Sequence, residues 1–167
     1  QNASVMYMTF RNEWACPEGL CKDPNLWKSI DGGNSWSVIP IDALQFASPS
    51  GVVVDVNDEN TVYISGANLS SWEGVSLGKV YRIAHGQAKD ITYGLPNVPV
   101  HSITQDVEGR LWIGTEYGVY YLEKDTTHWN CFSNGLPPSP VMHLIIKEGY
   151  LWAATYGRGV WRSKIKF

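Results

Sequence analysis

Short apolar stretches, none longer than a few residues, recur along the chain between clusters of Gly, Pro, Asn and Asp. The clearest is Leu111-Trp-Ile-Gly-Thr-Glu-Tyr-Gly-Val-Tyr-Tyr-Leu-Glu123. Its β-branched and aromatic residues suit a pleated, half-buried surface, and the glycines at 114 and 118 bracket a tight connection. The pattern predicts strand, turn, strand. It returns as Leu151-Trp-Ala-Ala-Thr-Tyr-Gly-Arg-Gly-Val-Trp-Arg-Ser163. Gly94-Leu-Pro96 returns as Gly135-Leu-Pro137, so the offsets are 40 and 41 residues. A fainter copy joins Val62–Gly66 to Gly78–Arg82, and the faintest joins Val5–Thr9 to Leu26–Ser29.

Each unit reads as four short strands, A to D. In the third unit these are Val100 to Gln105, Arg110 to Thr115, Val119 to Glu123 and His128 to Phe132, with Asp106-Val-Glu-Gly109 as the A–B turn. The second unit has strands near Gly51–Val56, Thr61–Ser65, Lys79–Ile83 and Lys89–Thr92. The fourth has Val141–Lys147, Tyr150–Ala154 and Gly159–Ile165, with no strand D. The first has Val5–Thr9, Leu26–Ile30 and Ser35–Ile41, with no strand A. Units of four strands at a period of about 40 residues are the signature of β-propeller blades. The expected fold is therefore all-β, a single propeller portion with about four blades' worth of strands and units at roughly 1–47, 48–96, 97–137 and 138–167. A complete ring should lack neither an inner nor an outer strand, which favours part of a larger propeller over a closed four-bladed one.

Composition narrows the function classes. The net charge of −3 gives no basic footprint for nucleic acid, and no apolar run reaches the length of a membrane span. Charged residues are 17% and aromatic ones 13%, with eight Trp and nine Tyr, which suits strands and turns over long helices. Cys16 and Cys21 share one loop and predict a local disulfide if the chain is secreted; three unpaired thiols are the alternative. Asn2 and Asn68 begin glycosylation sequons, which lean the same way. His85, His101, His128 and His143 show no metal-ligand spacing, and no cofactor is expected. Lys28, Lys79, Arg82, Arg110 and Arg162 fall on strands or strand starts and are expected to be solvated, their stems lying over neighbouring rings.

Ser29-Ile-Asp-Gly-Gly-Asn-Ser-Trp36 matches Ser-x-Asp-x-Gly-x-Ser/Thr-Trp. It resembles the Asp box, or BNR repeat. Asp31 can bind the backbone of its own turn, glycines there tolerate positive φ, and Trp36 can pack over the hairpin. The resemblance implies a structural role for Ser29, Asp31, Gly33 and Trp36. Together with Ala154–Arg162 and the Gly-Leu-Pro linkers, it makes the chain similar to the C-terminal blades of sialidase-like, xyloglucanase-type and sortilin-type propellers. The later units depart from the box, with Ala84-His-Gly-Gln87 and Lys124-Asp-Thr-Thr127 in its place. Thr9-Phe-Arg-Asn12 does not match the sialidase signature, and no aspartate can be matched to the xyloglucanase carboxylate pair.

Strand order sends the B–C connections to one face, where ligands on such scaffolds collect. That face carries Glu13, Trp14, Trp72, Glu73, Glu116, Tyr117, Tyr156 and Arg158. Aromatic platforms beside carboxylates and an arginine suit a glycan or a protein partner; equally, the tyrosines can pack around the channel and the tryptophans can pin their own loops. The expectation is a secreted, extracellular module that binds through this face and is non-catalytic by itself. The alternatives are the C-terminal part of a glycoside hydrolase, with two carboxylates as acid and base, and a structural unit of an extracellular assembly. The remaining blades of a parent chain, or another subunit, would complete the ring.

Overall fold

The computed structural model describes residues 4–9, 26–39, 48–69, 76–132 and 135–165, with side chains undescribed at 48, 67–69, 76 and 77. Among these residues there is no helix. There are four antiparallel sheets. The first contains β1 (Met6–Thr9), β2 (Leu26–Ser29) and β3 (Ser37–Ile39). The second contains β4 (Ser48–Val54), β5 (Thr61–Leu69), β6 (Ser76–Ala84) and β7 (Gln87–Asp90). The third contains β8 (Val100–Gln105), β9 (Leu111–Thr115), β10 (Gly118–Leu122) and β11 (Trp129–Phe132). The fourth contains β12 (Val141–Lys147), β13 (Tyr150–Thr155) and β14 (Val160–Lys164). Every sheet is a meander with strands in sequence order, the arrangement of propeller blades, and the chain is a β-propeller portion.

Period-two alternation builds the core. In β5, Val62 and Ile64 face the first sheet and pack with Leu26, Tyr81 and Ile83. Tyr63 faces the other way and joins Val80, Ile103, Leu111 and Ile113 between the second and third sheets. Trp112, between Leu111 and Ile113, turns toward the fourth sheet and packs with Val141, Leu144 and Leu151. All five residues of β9 are buried, because β9 has a sheet on either side. Each fully buried side chain of this size contributes roughly 1.5–3 kcal/mol. Trp152 holds the corresponding place in β13, but it is 37% exposed, and Ile145 beside it is 52% exposed. The outer face of the fourth sheet has no described neighbour.

β5 and β6 extend further toward the B–C end than the sequence pattern predicts. They pair through Leu69 and Ser76. Ladder hydrogen bonds carry the pairing past the apolar run, where alternation in the sequence has already ended.

Three inner strands share one irregularity. Pro49 and Gly51 face the consecutive residues Gly66 and Ser65, so Ser50 is an extra residue. His101 is extra in the same way in β8, and Met142 in β12. Such bulges re-aim a side chain without disturbing the rest of the ladder.

Candidate functional site

The two described B–C turns are built alike. Thr115 and Thr155 end their strands, and their hydroxyls donate to the carbonyls of Gly118 and Gly159 at 3.0 and 2.7 Å. The amide of Glu116 donates to Pro99 O at 3.2 Å, and that of Tyr156 to Pro140 O at 2.8 Å. Glu116 and Tyr156 therefore hold equivalent posts, each pinned to the chain entering its own sheet. Tyr156 itself is 74% exposed, and Tyr117, next after Glu116, is 65% exposed. Arg158 is exposed too, and its carbonyl accepts from Trp161 Nε1 at 2.8 Å.

Glu116 is not alone on this face. Its Oε2 lies 2.9 Å from His101 Nε2. The bulge in β8 aims His101 there, since a regular strand would send the side chain into a neighbouring sheet. The sequence reading weighs this residue only as a metal ligand and not as part of the B–C face. Its signal is the 41-residue spacing from His101 to Met142, both one place after a valine that opens an inner strand.

Of the other expected site residues, Glu13, Trp14, Trp72, Glu73, Cys16, Cys21 and Asn2 lie outside the described residues. Asn68 sits on β5 with its side chain undescribed. Cys131 is exposed on β11. Among the described residues no group of three or more His, Cys, Asp or Glu could hold a metal ion. No helix there is long and apolar enough to cross a membrane.

On the opposite face lies the β2–β3 hairpin. Ser29 Oγ donates to Asp31 Oδ1 at 2.8 Å and accepts the Gly33 amide at 2.8 Å. Asp31 also accepts the Ser35 amide at 2.9 Å and its hydroxyl at 2.6 Å. Bonds from the Ser35 hydroxyl and amide and from Ser29 hold the Asp31 carboxyl down at about 2. Gly32 and Gly33 take φ of 71° and 92°, and Trp36 Nε1 donates to Gly33 O at 3.0 Å. The carboxylate is committed to its own turn.

The same face holds a second carboxylate device that the sequence reading did not single out. Asp106 Oδ1 accepts the amides of Glu108 and Arg110, both at 3.0 Å. Its Oδ2 accepts Arg110 Nε at 2.6 Å and Trp112 Nε1 at 2.9 Å. The Asp106 side chain is fully buried and that of Arg110 only 13% exposed. The expectation that Arg110 is solvated is thus corrected, because a buried carboxylate and the Trp112 ring draw its guanidinium inward. Lys79 is likewise drawn to Asp90, at 2.8 Å. Arg162 does lie over Tyr150 and Trp152, and Lys28 over Tyr7. Asp55 repeats the device in the second sheet. It accepts the Asn57 amide at 2.9 Å, Tyr63 OH at 2.8 Å and Gln105 Nε2 at 3.2 Å. Burial raises its pKa, but the bonds from Asn57, Gln105 and Tyr63 outweigh this and lower it overall. Burial and the Asp55 carboxylate push the Tyr63 phenol up to about 12.

Residues 94–117 match the two component regulator propeller family. The match covers one Gly-Leu-Pro linker, β8, the Asp106 turn and β9. No curated protein matches the chain. Several solved structures do. The extracellular domain of BT4673 of B. thetaiotaomicron, named as a one component system, is 19% identical with a TM-score of 0.64; the match covers 98% of this chain and 20% of that one. XC5397 of Xanthomonas campestris, named as a gluconolactonase, is 16% identical with a TM-score of 0.63, covering 95% and 52%. PorZ of Porphyromonas gingivalis, named as a surface component of the type-IX secretion system, is 13% identical with a TM-score of 0.55, covering 84% and 24%. At such identities the likeness shows the fold alone. This chain spans about a fifth of the length of the first of these structures.

Proposed function

We propose that this chain is part of an extracellular β-propeller, non-catalytic by itself, that holds a protein or glycan partner on its B–C face. The observation that carries the reading is the paired geometry of the B–C turns. They present Tyr117, Tyr156 and Arg158 as exposed groups on pinned backbone, beside the His101–Glu116 pair. Tyrosine and arginine are the side chains that most often anchor partners, and rigid loops lower the entropy cost of binding. The extracellular setting draws support from neighbours that are extracellular domains or surface components. Among the described B–C turn residues Glu116 is the sole carboxylate, and it is bonded to His101, so the acid–base pair of a glycosidase has one candidate member there.

The ring reading belongs with this one. Trp112 is covered by the fourth sheet, whereas its counterpart Trp152 and the neighbouring Ile145 are open. A further blade would cover them as the fourth sheet covers the third. The likeness to the Asp-box propellers rests on the Ser29–Trp36 hairpin.

The test is photo-crosslinking in cells expressing the full-length protein. A crosslinking amino acid at Tyr117 or Tyr156 should capture a partner, and one at the exposed Val107 in an A–B turn should not. Equal capture from all three positions, or none from the tyrosines, would refute the B–C face.

A further inference from the structure

A groove of about 530 Å³ opens between the second and third sheets, on the face of the A–B and C–D turns. Nothing in the B–C reading uses it. Its size is that of a small-molecule site. Ile91, Leu111 and Leu122 form an apolar floor continuous with the core. Arg82 and Lys89 rise from the second sheet on one wall, and Glu123 and Asp125 rise from the third on the other. Among the described residues no ion pair joins these two cations to these two carboxylates.

The gap is held open by a rigid base. Gln105, on the third sheet, accepts the Val56 amide at 2.8 Å and donates to Asp55 at 3.2 Å, both on the second. Trp129 Nε1 donates to Ile91 O at 2.9 Å across the same seam. The seam between the first and second sheets is different. There Tyr7 OH donates to Glu59 O and Lys28 Nζ to Asn60 Oδ1, both at 2.8 Å, which bridges the gap.

We propose that this groove is a binding site for a neutral, hydroxyl-rich ligand of the saccharide class. The chemistry that selects it is the mixture of charged donors on one wall and acceptors on the other over an apolar floor. The lining sets the carboxylates of Asp55, Asp58, Glu123 and Asp125 against the cations Arg82, Lys89 and Lys124, with Asp55 and Asp58 both bonded within their own turn and Glu123 also 3.9 Å from Arg110. Four against three leaves a single excess negative charge, which opposes phosphate and gives a polyamine little to hold, since three cations face it as well. Facing donors and acceptors instead suit hydroxyl groups, each of which donates and accepts. The apolar floor suits the C–H face of a sugar ring.

The experiment is a nuclear magnetic resonance titration of the full chain with cellobiose, xylobiose, mannobiose and galactobiose, and with inorganic phosphate and spermidine. A neutral disaccharide should move the amides of Tyr93 and of Glu123–Thr127 in a saturable way. Arg82→Gln and Glu123→Gln should each weaken it about tenfold. Thr127→Arg, an exposed lining position, should abolish it while the melting temperature stays unchanged. The proposal is overturned if no disaccharide moves these amides, if phosphate or spermidine binds more tightly, or if the shifts centre on Glu116, Tyr117 and Tyr156. That last outcome would leave the B–C face standing and remove only the groove.

Discussion

Replacing Asp106 by alanine tests the packing between the third and fourth sheets most directly. The carboxylate is fully buried and accepts four hydrogen bonds, one of them from the Arg110 guanidinium. Removing it leaves Trp112 Nε1 without its acceptor inside a 2%-exposed site, and takes the carboxylate from a guanidinium whose side chain is 13% exposed. Breaking one partner of a buried ion pair costs about 3–5 kcal/mol. For a chain of this length each kcal/mol moves the melting temperature by roughly 2–4 °C, so the fall should be roughly 6–20 °C. Urea denaturation and calorimetry of Asp106→Ala, Arg110→Ala and the double variant would measure it. The double variant should lose less than the sum of the single ones, by about 0.5–3 kcal/mol, because one interaction is removed twice. A loss for Asp106→Ala below about 1 kcal/mol, or strict additivity, would show that the turn closes without the carboxylate.

Three further outcomes follow from the same geometry. A methyl group added at Gly114 would sit 2.5 Å from Val141 O and 2.6 Å from Ser102 Oγ, so Gly114→Ala should destabilise by about 1–3 kcal/mol in urea; an unchanged midpoint would mean the third and fourth sheets are looser than described. Asp31 is depressed in the folded chain to about 2 from 3.8, so its contribution is complete above about pH 4 and lost as the pH falls toward 2. Asp31→Asn should accordingly show a smaller drop in melting temperature between pH 5 and pH 2 than the parent, and an equal drop would refute the assignment. The Tyr63 phenol is raised to about 12, so it favours the folded chain in its neutral form and this contribution is lost as pH rises from 10 through 12. Tyr63→Phe should remove that alkaline loss and one late phenolate transition in an ultraviolet titration.

The fold was legible where a repeat and a period coincide. The offsets linking Leu111 to Leu151 and Gly118 to Gly159 locate the third and fourth sheets, and the fainter copies at Val62–Gly66 and Val5–Thr9 locate the other two. The B–C turns could be placed on one face from strand order alone. What the sequence hides is the third dimension of each strand. A bulge leaves no compositional mark, so His101 reads as an ordinary strand residue unless its 41-residue spacing to Met142 is noticed, and even that spacing does not show its contact with Glu116. The groove is hidden for another reason. Its walls come from turns some 60 residues apart, Asp55–Thr61 and Glu123–Thr127, and only the seam between sheets brings them together. Arg110 was misjudged because a basic residue at a strand start is usually solvated, and here a carboxylate four residues earlier is buried and waiting for it.

The extra residue at the head of each described inner strand has an evolutionary corollary. Ser50, His101 and Met142 stand outside the pairing ladder, so neither register nor alternation constrains what occupies them. A hydroxyl, an imidazole and a thioether have been installed at three copies of one backbone socket. Around such a fold, chemistry at these points can drift from blade to blade while the scaffold stays constant. Grafting one residue type into all three sockets would give a graded series of inner rims on a single framework.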